Sequence, residues 1–205
     1  MSTLITELKY ACRMLVKALG FTMIAIAALA LGIGANAAIF SVVNAVLLRP
    51  LPYPDSDQLV MVRERMAKFP MGSVAYPNWL DWREGQKGFT DLALVRRENF
   101  NFARTGGGAT PERMAGGRVS FNFLSVMGLK PRLGRDFTEA EDVPGAAPVA
   151  LISDQVWQTH FGGAPEVIGQ QVMVDGVARE IVGVLPPELA FPRQAQIYVL
   201  LAAVR

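Results

Sequence analysis

The sequence predicts an α+β protein: an amphipathic N-terminal helix, one transmembrane helix, and a mixed α+β domain beyond it. Three observations carry this expectation. From Phe21 to Leu48 the chain runs 28 residues without one charge. Ahead of that run, Leu4, Leu8, Ala11 or Cys12, Leu15 and Leu19 fall at intervals of three or four. Behind it, β-rich runs alternate with short helical ones around Asp175-Gly176, a dipeptide that favours a tight hairpin.

The first segment, residues 1–20, sets Lys9, Arg13 and Lys17 on a different face from its leucines. This suits a helix lying on the inner membrane surface, with Gly20 as the break before the bilayer. The second, residues 21–48, exceeds the roughly 20 apolar residues that cross a hydrocarbon core of about 30 Å. Glu7, Lys9, Arg13 and Lys17 leave a positive balance ahead of the span, which predicts a cytoplasmic N-terminus and an extracytoplasmic remainder.

Within the span, Gly32-Ile33-Gly34-Ala35-Asn36-Ala37 fits the G-x-G-x-x-[GA] pattern of a dinucleotide-binding turn. That motif needs a following helix with a polar face. The residues after it offer only Ser41 and Asn44 before Arg49, so the nucleotide reading fails. Ala28, Gly32, Ala35 and Asn36 instead recur at helical spacing as a thin face that another helix can approach closely. A carboxamide in hydrocarbon wants a partner, so Asn36 is expected to face protein. Ala35-Asn36-Ala37 also has the small-x-small form of a signal-peptidase site, but the apolar run continues to Leu48.

Residues 49–57 read as a stiff linker. Pro50, Pro52 and Pro54 alternate, which removes backbone donors and favours extended chain. Residues 58–205 form the outer domain. Strands are expected at residues 58–65, in "FTDLALVRR", "NFNFART" and "ERMAGGRVS", at the start of "PVALISDQVWQTHFGG", on both sides of Asp175-Gly176, and in "AQIYVLL". Helices are expected at "PNWLDWRE", at "FNFLSVMG" ended by Gly128, and after Ser153 or Asp154, closed by Gly162-Gly163. Gly106-Gly107-Gly108 reads as a flexible turn.

The chain has 20 basic and 18 acidic side chains, and those beyond residue 20 balance at 17 each, so no basic surface of nucleic-acid density is expected. Cys12 is the single cysteine and reads as a small apolar helix residue; disulfides are excluded from the outer domain. His160 is the single histidine, which rules out a two-histidine metal site, and it reads as a helix-end cap or a solvated ring. Glu139, Glu141 and Asp142 read as helix-start charge or a solvated loop. Gly106-Gly107-Gly108 lacks the Lys-Ser/Thr ending of a P-loop. The aromatics Trp79, Trp82, Phe100, Phe102, Phe121, Phe123 and Trp157 are assigned to the core. No catalytic, cofactor-binding or metal-binding residue is assigned.

The stretch "YACRMLVKALGFTMIAIAALALGIGANAAIFSVVNAVLLRPLPYPDSDQLV" resembles the opening of bacterial ABC-transporter permeases of the FtsX/MacB type, the acidobacterial orphan permeases especially. "RVSFNFLSVMGLKPRLGRDFTEAED", "PVALISDQVWQTHFGG" and "VIGQQVMVDGVAREIVGVLP" are similar to the MacB-like periplasmic core domain. The resemblance implies an inner-membrane permease component that couples a cytoplasmic ABC ATPase to a periplasmic domain, for export or mechanotransmission. ATP is then bound by the separate ATPase subunit and not by this chain. The implied partners are the lipid bilayer, the ATPase, a second permease subunit or half, and a further periplasmic protein. Members of the type continue to further spans, so the resemblance implies a C-terminally truncated fragment that is not transport-competent alone. The alternative is a membrane-anchored periplasmic binding or scaffold module.

Overall fold

The computed structural model describes residues 2–45, 53–65, 72–105, 110–189, 191–192 and 194–201. The chain divides into two compact units, Met1–Pro50 and Leu51–Arg205. Pro50, Pro52, the Gly106-Gly107-Gly108 turn and the side chain of Cys12 lie outside the described residues.

The first unit holds two helices, α1 (Ser2–Lys17) and α2 (Leu19–Val43). The break falls at Ala18 (φ −110°, ψ 57°), not at the expected Gly20, which sits inside α2. Thr22 explains the position. Its Oγ1 donates to the Leu15 carbonyl (2.8 Å), an acceptor at the end of α1, and to the Ala18 carbonyl (3.0 Å), which also accepts from Thr22 N. At 25 residues α2 is about 37 Å long, and its best 18-residue window has a mean hydropathy of 2.1 with none of it buried. It is a candidate membrane helix by length and composition.

In the second unit the expected strand at residues 58–65 does not form. Ser56–Gln58 is a 3-10 turn, and the following residues pair only through an isolated bridge, Glu64 to Gly72. Val60, Met61 and Val62 are 63%, 60% and 43% exposed, so this apolar run has no sheet face to cover. The next helix, α3 (Tyr76–Gly85), takes Pro77 into its first turn as expected and buries Trp79. "FTDLALVRR" and "NFNFART" resolve into a single strand, β1 (Val95–Arg104). Residues 89–94 stay outside it because Asp91 and Leu92 are committed to side-chain hydrogen bonds described below.

The remaining elements are β2 (Glu112–Val119), α4 (Phe123–Val126), β3 (Leu133–Gly134), β4 (Val149–Ile152), α5 (Asp154–Phe161), β5 (Gln171–Val174), β6 (Val177–Val184) and β7 (Ile197–Leu200). Two of them show how local sequence sets the ends. Ser153 caps α5 by accepting from Val156 N at 3.2 Å, and Gly162 closes it at φ 62°. Asp175 and Gly176 take φ 51° and 78°, the left-handed pair that a two-residue hairpin requires.

The strand order is β3-β6-β4-β7-β2-β1-β5, with β5 also pairing β6. All strands except β3 therefore form a closed circuit. Its joints are antiparallel at β1–β2, β1–β5, β4–β7 and β5–β6, and parallel at β2–β7 and β4–β6. The two parallel joints explain why β4 and β7 are buried at every position: each has apolar layers on both sides. Phe100, Phe102, Met114, Ile152, Val172, Val174, Ile181 and Ile197 form one core cluster, which Val156 and Trp157 of α5 cover. Val119, Phe123, Leu124, Leu151, Val182, Leu185, Tyr198 and Leu200 form the other.

A register shift between Ala150 and Leu151 lets β6 change phase, so Ile181 and Val184 share the first cluster while Val182 and Leu185 share the second. Tyr198 is fully buried, and its hydroxyl donates to the Phe191 carbonyl at 2.7 Å, which satisfies the polar end of a core ring.

Gly116 is set by packing. A Cβ there would stand 2.3 Å from Phe100 ring carbons and 2.7 Å from the Ile197 carbonyl oxygen. Its neighbour Gly117 would meet nothing closer than 3.4 Å. Gly116→Ala is therefore expected to lower unfolding free energy by about 1–3 kcal/mol through overpacking. Gly117→Ala is expected to change it by much less. Urea unfolding followed by tryptophan fluorescence compares the two variants directly.

Candidate functional site

The structure places Ala28, Gly32, Ala35 and Asn36 on one uninterrupted helix, α2, where all four are exposed. A Cβ added at Gly32 or Gly34 would meet nothing within 4 Å, so larger residues fit there without clashing inside this chain. Asn36 Nδ2 donates to the Gly32 carbonyl at 2.9 Å. The carboxamide donor is thus met one turn back on its own helix. Pro54 lies in a turn beside Gly128, where an added Cβ would come within 3.1 Å of the proline, and Tyr53 and Leu59 pack against the second core cluster. The end of the expected linker is therefore seated on the folded domain.

The second unit carries an open groove of about 1950 Å³. Its walls include Val60, Met61 and Val62 from the extended segment, Trp79 and Leu80 from α3, and Arg96, Glu98 and Arg118 from the strands. A polar strap runs along it. Arg83 donates to both oxygens of Asp91 (2.7 and 3.3 Å), and Asn122 Nδ2 donates to Asp91 (2.7 Å) and to the Leu92 carbonyl (3.0 Å). Ser120, fully buried, donates to Asn122 (2.7 Å) and accepts from Leu94 N (2.9 Å). The Arg83 guanidinium also lies 5.1 Å from the Phe121 ring centroid and 5.8 Å from that of Trp79.

Burial pushes the Asp91 carboxyl upward, but donors from Arg83, Asn122 and Leu92 outweigh it and hold its pKa below the usual value. The hydrogen bond to Asp91 in turn raises Arg83. Sequence reasoning missed this strap, because Arg83 and Asn122 lie 8 and 31 residues from Asp91 with no local pattern joining them.

The acidic cluster resolves into separate roles. Glu141 closes a capping box with Thr138 and pairs with Arg135 at 2.6 Å. Asp142 is not solvated as expected: it is 3% exposed and accepts from Phe121 N at 3.0 Å. Nearby, burial raises the Asp136 carboxyl from 3.8 to about 6, against the Phe137 N–H and Arg135, with Glu141 adding repulsion.

His160 is neither a helix-end cap nor fully solvated. Its ring stands edge-on to Phe102 with centroids 5.4 Å apart, and Nε2 is 3.7 Å from Glu112. Among the described residues no group of three or more His, Cys, Asp or Glu is placed to hold a metal ion. The groove offers apolar walls and paired charges.

The MacB-like periplasmic core domain model matches residues 22–205, beginning inside α2. The chain belongs to the MacB-like periplasmic core domain family.

The fold agrees. The periplasmic region of MacB from Actinobacillus actinomycetemcomitans is similar at a TM-score of 0.51 and 15% identity, over 67% of this chain and 60% of that one. The extracellular domain of the noncanonic ABC-type transporter YknZ from Gram-positive bacteria is similar at 0.45 and 17% identity, over 59% of each chain. This chain thus spans about 60% of the length of the solved structures it matches. No curated protein matches the sequence.

The family is a periplasmic domain of inner-membrane ABC-type permeases, and MacB/FtsX-type permeases work with an ABC ATPase partner. In this MacB-like domain the observed order, a candidate membrane helix followed by a mixed helix and strand domain, is the one the sequence predicts.

The raised Asp136 sets a pH dependence with a defined sign. A carboxyl whose folded pKa lies above its unfolded one favours the folded state at low pH, and that contribution is lost as pH rises from about 3.8 to about 6. Asp136→Asn is expected to remove this loss. The variant should gain thermal stability relative to the wild type at pH 7 and show little advantage at pH 4, by calorimetry at both values.

Proposed function

We propose that this chain is a membrane-embedded component of an ABC-type permease, in which α2 packs against a helix of a second permease subunit and the outer domain is moved by a cytoplasmic ATPase. The observation that carries the reading is the extent of the family match. It begins at residue 22, inside α2, and so takes in both the apolar helix and the folded domain as parts of one family unit. The α2 helix lies in the inner membrane with α1 and the N-terminus on the cytoplasmic side, where Lys9, Arg13 and Lys17 meet anionic lipid. The chain carries no covalent chemistry of its own; ATP is hydrolysed by the partner, and the domain transmits motion for export or signalling. The stiff Pro50, Pro52 and Pro54 stretch passes that motion outward.

In this reading Ala28, Gly32, Ala35 and Asn36 form the contact face, and small residues there let two backbones approach. Gly34 lies on the other side of the helix and serves as the internal control. With Cys12→Ser as background and a single cysteine at Ala28, oxidative crosslinking in membranes reads the association. Gly32→Leu is expected to cut the crosslinked fraction roughly fivefold, matching about 1 kcal/mol of helix association, whereas Gly34→Leu leaves it nearly unchanged. Equal crosslinking in all three chains would instead support a lone anchor carrying a periplasmic module.

A further inference from the structure

Two arginines point into the interior of the strand circuit. On β6, Arg179 alternates with Ile181, a residue of the first core cluster, and is only 4% exposed. On β2, Arg118 is in phase with Met114 and Gly116, and its guanidinium lies 5.2 Å from the centroid of the Phe100 ring. Among the described residues Arg179 Nε and Nη1 and Arg118 Nη1 are buried with no hydrogen-bond partner. A buried guanidinium with open donors opposes folding, and a like charge beside it adds to that cost.

The carboxylates in reach do not balance the pair. Glu98, on the same interior face of β1, accepts from Arg118 Nε. Asp175, the carboxylate whose charge acts on Arg179, accepts from the backbone and side-chain nitrogens of Asn101 at 2.8 and 3.0 Å. Burial, and then the charge of Arg118, lower the pKa of Arg179, with Asp175 opposing. Arg118 also lines the groove, so one member of the pair borders a space open to solvent.

We infer that Arg118 and Arg179 form a binding site for a small free oxyanion, a carboxylate or a phosphate, reached past Arg118 from the groove. Guanidinium groups suit such ligands because charge-assisted N–H donors meet carboxylate or phosphate oxygens at short distance. Deep burial of Arg179 restricts the ligand to a small one, since a bulky carrier would have to enter the core with it. The bound anion joins β2 to β6, which lie on opposite sides of β7 and β4 in the strand order. Occupancy therefore stiffens the domain as a whole.

The test titrates the full chain in detergent with sodium phosphate and, separately, sodium acetate, with chloride keeping ionic strength constant. Calorimetry is expected to show saturable binding at one site per chain for at least one of the two anions, and which one binds assigns the ligand as phosphate or carboxylate. The unfolding midpoint is expected to rise by roughly 5–10 °C at about one hundred times the dissociation constant. Arg179→Met should abolish both effects. Should that variant not fold, Arg118→Gln decides: it leaves Arg179 in place and is expected to weaken binding at least tenfold. Unsaturable heats with both anions, or unchanged affinity in Arg118→Gln and Arg179→Met, would overturn the site.

Discussion

The fold of the outer domain depends on one joint, the closure of the strand circuit at the β5–β6 hairpin. Asp175 N donates to the Asn101 carbonyl, and the Asp175 carboxylate accepts from Asn101 N, so the hairpin turn is stitched to β1 from both sides. Without that joint the β5–β6 pair would be a ribbon attached only through the β6 pairings to β4 and β3. With it, the strands other than β3 enclose the first cluster, and Phe100 and Phe102 are sealed beneath α5. The left-handed Asp175-Gly176 pair is the local cause, because only that turn hands β6 back to β5 in register.

Closure explains where the domain places its glycines and its charges. Strands that must cross tightly inside a small circuit leave no room for side chains at the crossings. Gly116 shows this against Phe100 and Ile197, while on the β3 side of β6 a Cβ at Gly183 would stand 2.4 Å from the Arg135 carbonyl oxygen. Polar contacts are concentrated instead on the flank formed by α3 and the chain around Asp91, where the Arg83–Asp91–Asn122–Ser120 strap closes the backbone of residues 89–94. For the proposed transmission role these features matter together. A body that is to pass motion from a membrane helix must not yield internally, and a strand circuit with buried cores on both faces is stiff.

The sequence was informative where the cause is local. The Asp175-Gly176 hairpin, the Ser153 cap, the Pro77 helix start and the alternation of Phe100 and Phe102 each rest on neighbours a few residues apart. It was misleading where the cause is a distant partner. Residues 58–65 have strand composition but no edge to join, and residues 89–94 are diverted by Asp91. Thr22 moved the helix break from Gly20 to Ala18 through carbonyls four and seven residues back. The circuit could not be read, because strand order follows from pairings as distant as Gly116 with Ile197. One signal was present and unused: "VAREIVGV" sets Arg179 in phase with Ile181, so alternation alone placed an arginine on an interior face.

Hydrogen exchange of the full chain in detergent tests the closed circuit most directly. Amides of Val172 and Val174 in β5 are predicted to exchange only with global unfolding, at rates matching those of Val199 and Leu200 in the doubly buried β7. Exchange of the β5 amides through a separate, much easier opening, while β7 stays protected, would show that the hairpin is an appended ribbon. The strand circuit would then be open.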